Sequence, residues 1–355
     1  MNGCTDEQAL ERQSKPGWLL PYLLSLDIGE IDITGMTKKE RKEANIQETA
    51  PRFFKGSNRW AYWLWILEYN RLPEDPIPQV RFEGNPSRQD AKAVQNWLQY
   101  AVRRHYNWYD DAWLWMVKWL LHGFGYTGMG IEREVERIPA DVKAQWYRQV
   151  NLANLLNSPC DWSAFVLQAG LQDDTRKRSP WSHSTGFYAT PLPVCTMMTE
   201  ITMATQDKLT DTRVLTVLDP CVGTGSMLLP ASNHSLRLFG QDIVGDLCLC
   251  TILNGYLWMP WLVIMPQETE EMLQQHADTT KRLRAMRDII ASDPVDRKRI
   301  GMDEPHHPKP EPHPHIGIVV NDNPQTAALA EERRQSSDAY WKAVRSGELE
   351  QIPMF

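Results

Sequence analysis

The sequence predicts an α/β fold that holds a nucleoside ligand, preceded by an α-helical domain. Three observations carry this expectation. The first is the stretch Val217-Leu218-Asp219-Pro220-Cys221-Val222-Gly223-Thr224-Gly225-Ser226-Met227-Leu228-Leu229. An apolar run ends in Asp-Pro, a glycine turn follows, and a helix-like apolar segment begins. Strand, tight loop and helix start form the ligand corner of an α/β unit. The second is residues 236–243, which read as a strand with Asp242 at its C-terminal end. A carboxylate there can accept two hydrogen bonds from a ribose diol, so a nucleoside cofactor is the default ligand. The third is the tryptophan density upstream, on segments of helical periodicity.

Residues 1–50 are polar and uneven and are expected to be partly ordered. Residues 51–180 read as the helical domain. Trp60, Trp63, Trp65, Trp97, Trp108, Trp113, Trp115, Trp119 and Trp146 are nine of the fifteen tryptophans of the chain. Arg59–Tyr69 reads as a buried helix. Ser87 begins another, with Val94, Trp97, Leu98, Ala101 and Val102 on one face. Asp110–Leu121 and Ala140–Leu152 are the third and fourth. The tryptophans stand at core spacings among Leu and Met, so burial is expected, with a protein interface or base stacking as the other readings.

Residues 181–300 hold the α/β unit. After Asp242 the expected order is a helix over Asp246–Trp258, a short strand over Trp261–Met265 and a charged helix over Glu268–Ala291. Residues 301–315 alternate Pro305, Pro308, Pro310, Pro312 and Pro314 with His306, His307, His313 and His315. That density of proline gives an extended linker. Without a carboxylate cage, no metal is assigned to its histidines. Residues 316–355 read as a short strand, Ile316–Val320, and a charged helix, Thr326–Val344.

At 355 residues and 42% hydrophobic content the chain can hold two domains and a core. A net charge of −7 excludes a global electrostatic drive toward nucleic acid. Contact with DNA must use local patches: Arg103-Arg104-His105, Arg176-Lys177-Arg178 or Arg333-Arg334. Six cysteines without a Cys-x-x-Cys pair suit reduced thiols in a cytoplasm, and no signal peptide opens the chain. Residues 247–265 are uncharged, but Asn254, Gly255 and Pro260 interrupt them. A buried helix followed by a strand is expected there, and no membrane span.

The glycine loop is not a Walker loop, since no Gly-Lys-Ser/Thr follows. Leu228 stands where a nicotinamide-binding loop wants a third small residue. Asp219-Pro220-x-x-Gly223-x-Gly225 resembles instead the S-adenosylmethionine (SAM) loop of the adenine-N6 DNA methyltransferases. Gly186-Phe187-Tyr188-Ala189-Thr190-Pro191-Leu192-Pro193-Val194, followed by Met197-Met198 and Ile201, is similar to the Gly-x-aromatic-aromatic-Thr-Pro segment of the type I modification subunits. Ala189 stands at the second aromatic position. The resemblance covers about residues 183–265.

The resemblance implies a Rossmann-like SAM-dependent methyltransferase fold, shorter than the family's sheet of about seven strands. It implies SAM as cofactor and DNA as partner, with a further subunit supplying target recognition. Tyr188, Thr190 and Pro191 would line the methionine side of SAM. Asp219 would face its amino group, Pro220, Gly223 and Gly225 would pass close to it, and Asp242 would hold the ribose. Each has a plainer reading: Asp219 as a helix cap, Asp242 as a solvated turn residue, Tyr188 as core.

The family also reads Asn/Asp-Pro-Pro-Tyr/Phe after its fourth strand. Its Asn and a proline carbonyl accept hydrogen bonds from the target amine, and the aromatic stacks on the flipped-out base. No Asn-Pro-Pro or Asp-Pro-Pro occurs in this sequence. The nearest candidate is Asn323-Pro324, after the run Ile316–Val320, with Gln325 in place of the second proline. Asn-Pro is also a plain turn signal. Asn85-Pro86-Ser87 lies upstream of the loop and reads as the start of a helix. Three functions follow: an adenine-N6 DNA methyltransferase of reduced activity or needing a partner, a SAM- or DNA-binding regulatory protein without transfer chemistry, and a methyltransferase on a non-DNA substrate.

Overall fold

The computed structural model describes residues 5–28, 57–106, 108–168, 171, 187–204, 211–292 and 318–320; at 282–292 and 318–320 only the course of the chain is described. The first helices are α1 (Asp6–Arg12) and α2 (Leu20–Ile28). Both fall where only partial order is expected from the polar composition. The local signals are in the sequence: Thr5 and Gln8 form a capping box, each side chain bonding the other's backbone. Trp119 then donates its indole N–H to Gln13 Oε1 at 2.6 Å, fixing this segment to the core.

The expected helices α3 (Arg59–Tyr69), α4 (Arg88–Arg104) and α5 (Tyr109–Phe124) are present. Ser87 caps α4, its Oγ accepting from the N–H of Asp90 at 3.1 Å. The helix expected over Ala140–Leu152 is shorter. It is α7 (Ala140–Gln149), preceded by α6 (Ile131–Glu136) and followed by α8 (Ala153–Leu156), with Val150 in extended backbone between α7 and α8. Next come α9 (Trp162–Leu167) and α10 (Leu192–Ala204).

The sheet has three parallel strands among the described residues: β1 (Thr216–Asp219), β2 (Arg237–Asp242) and β3 (Ile318–Val320), in the order β1-β2-β3. Thr216 pairs with Arg237 and Asp219 with Gly240; Gly240 pairs in turn with Ile318, and Asp242 with Val320. The glycine loop and α11 (Leu228–Ala231) connect β1 to β2. After β2 come α12 (Gly245–Trp258), α13 (Pro260–Val263) and the long α14 (Gln267–Ser292).

The strand expected over Trp261–Met265 is not one, because α13 occupies its first residues. Pro260 takes the first turn of that helix, where its fixed φ is favourable and its missing N–H costs nothing. A short apolar run cannot by itself separate a strand from a buried helical turn. The break at Met259–Pro260 also divides the uncharged stretch 247–265. No described helix is long and apolar enough to cross a membrane.

One apolar core runs through the described residues, from Trp60, Trp63 and Trp113 in the helical part to Leu228, Leu238 and Trp258 around the sheet. Buried tryptophans keep their indole N–H groups bonded: Trp60 to Tyr256 O at 2.9 Å, Trp63 to Ile264 O at 2.6 Å, Trp146 to Trp97 O at 3.0 Å. Arg59 is wholly buried where the two parts meet. Its guanidinium donates to Pro78 O, Ser232 Oγ, Trp258 O and Asn233 Oδ1, and lies 5.3 Å from the ring of Trp261. Burial lowers its pKa to about 9.

Candidate functional site

β1 and β2 end side by side, so Asp219 and Asp242 emerge at the same edge of the sheet. Between the strands the chain turns through Gly223 (φ +55°) and Gly225 (φ +92°). Both angles lie in the left-handed region that favours glycine. A side chain at Gly225 would also meet Thr251, with the added Cβ 3.0 Å from Cγ2. Over Gly223 lies the ring of Phe187, 3.2 Å from where a Cβ would stand.

The loop is held from three directions. Asp242 receives the N–H of Gly223 on Oδ2 and that of Val244 on Oδ1, both at 2.9 Å. From α12, Thr251 Oγ1 donates to Gly223 O at 2.9 Å and Asn254 Nδ2 to Thr224 O at 2.8 Å. From below, Asp161 Oδ2 accepts the hydroxyls of Thr224 and Ser226, each at 2.6 Å, while Oδ1 accepts the N–H of Ala164 at 2.9 Å. Asp161 therefore caps α9 and fastens the loop with one carboxylate.

Asp161, Thr251 and Asn254 are not singled out from the sequence as site residues. Thr251 and Asn254 had a signal there: two polar side chains three residues apart on one face of an otherwise apolar helix. Asp161 had only that of a helix cap before a short apolar segment.

The edge is acidic. Burial is the main cause that raises the Asp219 pKa above the ordinary carboxylate value, and the charge of Asp242 adds to it; the N–H of Cys221, bonded to Asp219 Oδ1 at 3.1 Å, acts the other way. Burial also raises the pKa of Asp161, against the bonds it receives from Ala164, Ser226, Thr224 and Asn254. Between residues 214 and 266 the only Lys or Arg is Arg237. It stands at the opposite end of β2, where it pairs with Glu270.

Thr190 and Pro191 line a cavity of about 160 Å³ together with Asn85, Phe165, Gln168 and Ser226. Tyr188 is 80% exposed and is therefore not core. Of the aromatic pair, Phe187 is the one against the glycine loop. Asn323 and Pro324 lie outside the described residues. The strand that leads to them, β3, pairs with β2 and not with β1.

Of the basic patches, Arg103-Arg104 closes α4; Arg104 lies 5.0 Å from the ring of Tyr100, and His105 is 3.0 Å from Asp141. Arg176-Lys177-Arg178, Arg333-Arg334 and the Pro/His segment 301–315 lie outside the described residues. The described cysteines are free thiols: Cys160, Cys195, Cys248 and Cys250 buried, Cys221 exposed on the glycine loop.

No family model matches the chain, and no curated protein or solved structure matches it.

Proposed function

We propose that this chain binds SAM across the C-terminal ends of β1 and β2 and belongs functionally with the SAM-dependent methyltransferases of the adenine-N6 type. The observation that carries this is the bond from Gly223 N–H to Asp242. Glycine loops that hold phosphates do so with open backbone N–H groups and nearby cations. Here the protein's own carboxylate takes the N–H at the centre of the loop, and a second carboxylate, Asp219, stands at the neighbouring strand end. Such an edge repels a pyrophosphate. It suits a nucleoside that carries positive charge, and SAM carries a sulfonium and an ammonium group.

In this reading each Asp242 oxygen accepts one backbone N–H and keeps lone-pair capacity for a ribose hydroxyl. Asp219 faces the ammonium group, and Thr190 and Pro191 border the methionine side. Bound there, SAM supplies an electrophilic methyl group. The residues of the chain orient it and exclude water from one side of it, and orientation is a large part of such a barrier reduction. The acceptor in this reading is an adenine amine of DNA, with a partner subunit supplying target recognition. Because the sequence lacks Asn-Pro-Pro-Tyr/Phe, weak transfer by the isolated chain is expected.

The test is incorporation of label from tritiated SAM into genomic DNA lacking adenine methylation. Low incorporation that rises with a partner subunit supports the reading. Labelling of RNA, protein or a small molecule in place of DNA would contradict the substrate class, and no labelling of anything, with SAM bound, would contradict the transferase activity.

A further inference from the structure

We propose that Asn85, from the helical part of the chain, is the amide that grips the acceptor amine, and that the cavity it borders takes one planar amine-bearing ring. This rests on the SAM reading of the glycine loop and adds an acceptor side to it. The observation is a juxtaposition absent from the linear order: Asn85 lines the same cavity as Thr190, Pro191 and Ser226, although it precedes them by more than a hundred residues.

The Asn85 amide has no hydrogen-bond partner among the described residues, and the backbone around it is fixed. On one side Glu83 N–H donates to Pro159 O at 2.7 Å. On the other, Ser87 N–H donates to Ser158 Oγ at 3.0 Å, and Ser158 Oγ donates to the buried carboxylate of Asp90 at 2.7 Å. Pro86 stiffens the short span between these anchors. An unengaged amide on a pinned loop is preorganised for a ligand.

The rest of the cavity suits a ring. At about 160 Å³ it is close to the size of an apolar cavity known to admit a benzene molecule. Phe165 supplies an aromatic wall, and Trp162 holds its ring edge-on at 6.2 Å and 88°. Gln168 Nε2 is bonded to Ala189 O at 3.3 Å, which leaves Oε1 as a second acceptor at the cavity. Amide side chains match the donor–acceptor edge of an amino-substituted heterocycle, and an aromatic face stacks on its plane.

The test is calorimetric titration of adenosine into the full-length protein saturated with S-adenosylhomocysteine, which fills the cofactor site and removes it as a competing place for adenosine. Adenosine is expected to bind, and inosine, which lacks the amine, to bind more weakly. Asn85→Ala is expected to weaken adenosine about 3- to 10-fold, the value of one hydrogen bond, with the affinity for S-adenosylhomocysteine and the thermal midpoint unchanged. Phe165→Leu is expected to weaken adenosine and inosine alike.

Adenosine failing to bind while S-adenosylhomocysteine binds would overturn the inference and leave the cofactor reading standing. So would an Asn85→Ala protein with full adenosine affinity. A variant that loses S-adenosylhomocysteine affinity would reassign the cavity to the amino-acid end of the cofactor. Failure of S-adenosylhomocysteine itself to bind would overturn the cofactor reading and this inference with it.

Discussion

The backbone N–H of Gly223 donates to Asp242 Oδ2 at 2.9 Å, so the carboxylate at the end of β2 closes the glycine loop that begins at the end of β1. Loop shape and ligand contact are thereby placed on one side chain. Asp242→Ala removes the acceptor for both Gly223 and Val244. A loss of SAM affinity of about 1.5–3 kcal/mol is expected, the range for hydrogen bonds to a charged group. Asp242→Asn, which keeps the shape and one acceptor, should lose less. Unchanged affinity in calorimetry on the alanine variant would remove Asp242 from the site.

Gly225→Ala tests the loop without touching a polar group. Its φ of +92° strains any side chain, and the added Cβ falls 3.0 Å from Thr251 Cγ2. Destabilisation of about 1–2 kcal/mol is expected from the backbone alone. Urea unfolding measures it. A companion Thr251→Ala change should relieve the contact but not the backbone strain, so the double variant should recover only part of the loss.

Arg59 joins the helical part to the elements around the sheet. Arg59→Ala leaves Ser232 Oγ, Asn233 Oδ1 and the carbonyls of Pro78 and Trp258 without their donor. Breaking such a buried charged network costs about 3–5 kcal/mol. Chemical denaturation should show that loss. Arg59→Lys should recover little, because an ammonium cannot span four acceptors set around a planar fork.

Asp110 gives the stability a pH dependence of known sign. Burial, and secondarily the charge of Asp111, raises its pKa to about 6. A carboxyl raised in the folded state contributes stability that is present below its unfolded value and lost as pH rises through its folded value. Its contribution should therefore fall between about pH 4 and 6. Asp110→Asn should match the parent at pH 4 and exceed it by roughly 1–3 kcal/mol at pH 8, less any helix N-terminal stabilisation forfeited with the charge. Thermal melts across this range check it, and equal differences at both pH values would contradict it.

What the sequence makes legible here is local. Strand, glycine turn and helix were readable at 217–229 because Asp-Pro, two glycines and an apolar run each have one good conformational use there. Helices α3, α4 and α5 were readable from the periodicity of Trp, Leu and Val. Helices α1 and α2 were missed because their burial depends on distant partners, such as Trp119 with Gln13. Helix α13 was mistaken for a strand because four buried apolar residues carry no period. At the site, Asp219, Gly223, Gly225 and Asp242 share one loop and its neighbouring strand. Asp161 and Asn85 come from the helical part, and only tertiary packing brings them there; no spacing in the chain encodes it.

The most direct measurement is calorimetric titration of the full-length protein with SAM, and separately with NAD and ATP, at neutral pH. An edge bearing Asp219 and Asp242, with the loop N–H already taken, should bind the cationic nucleoside and neither phosphate-bearing one. SAM binding that weakens as pH falls through the raised pKa of Asp219 is the expected result, because protonation removes the charge that attracts it. Binding of NAD or ATP with no binding of SAM would contradict the central claim, that this glycine loop is built for a positively charged nucleoside.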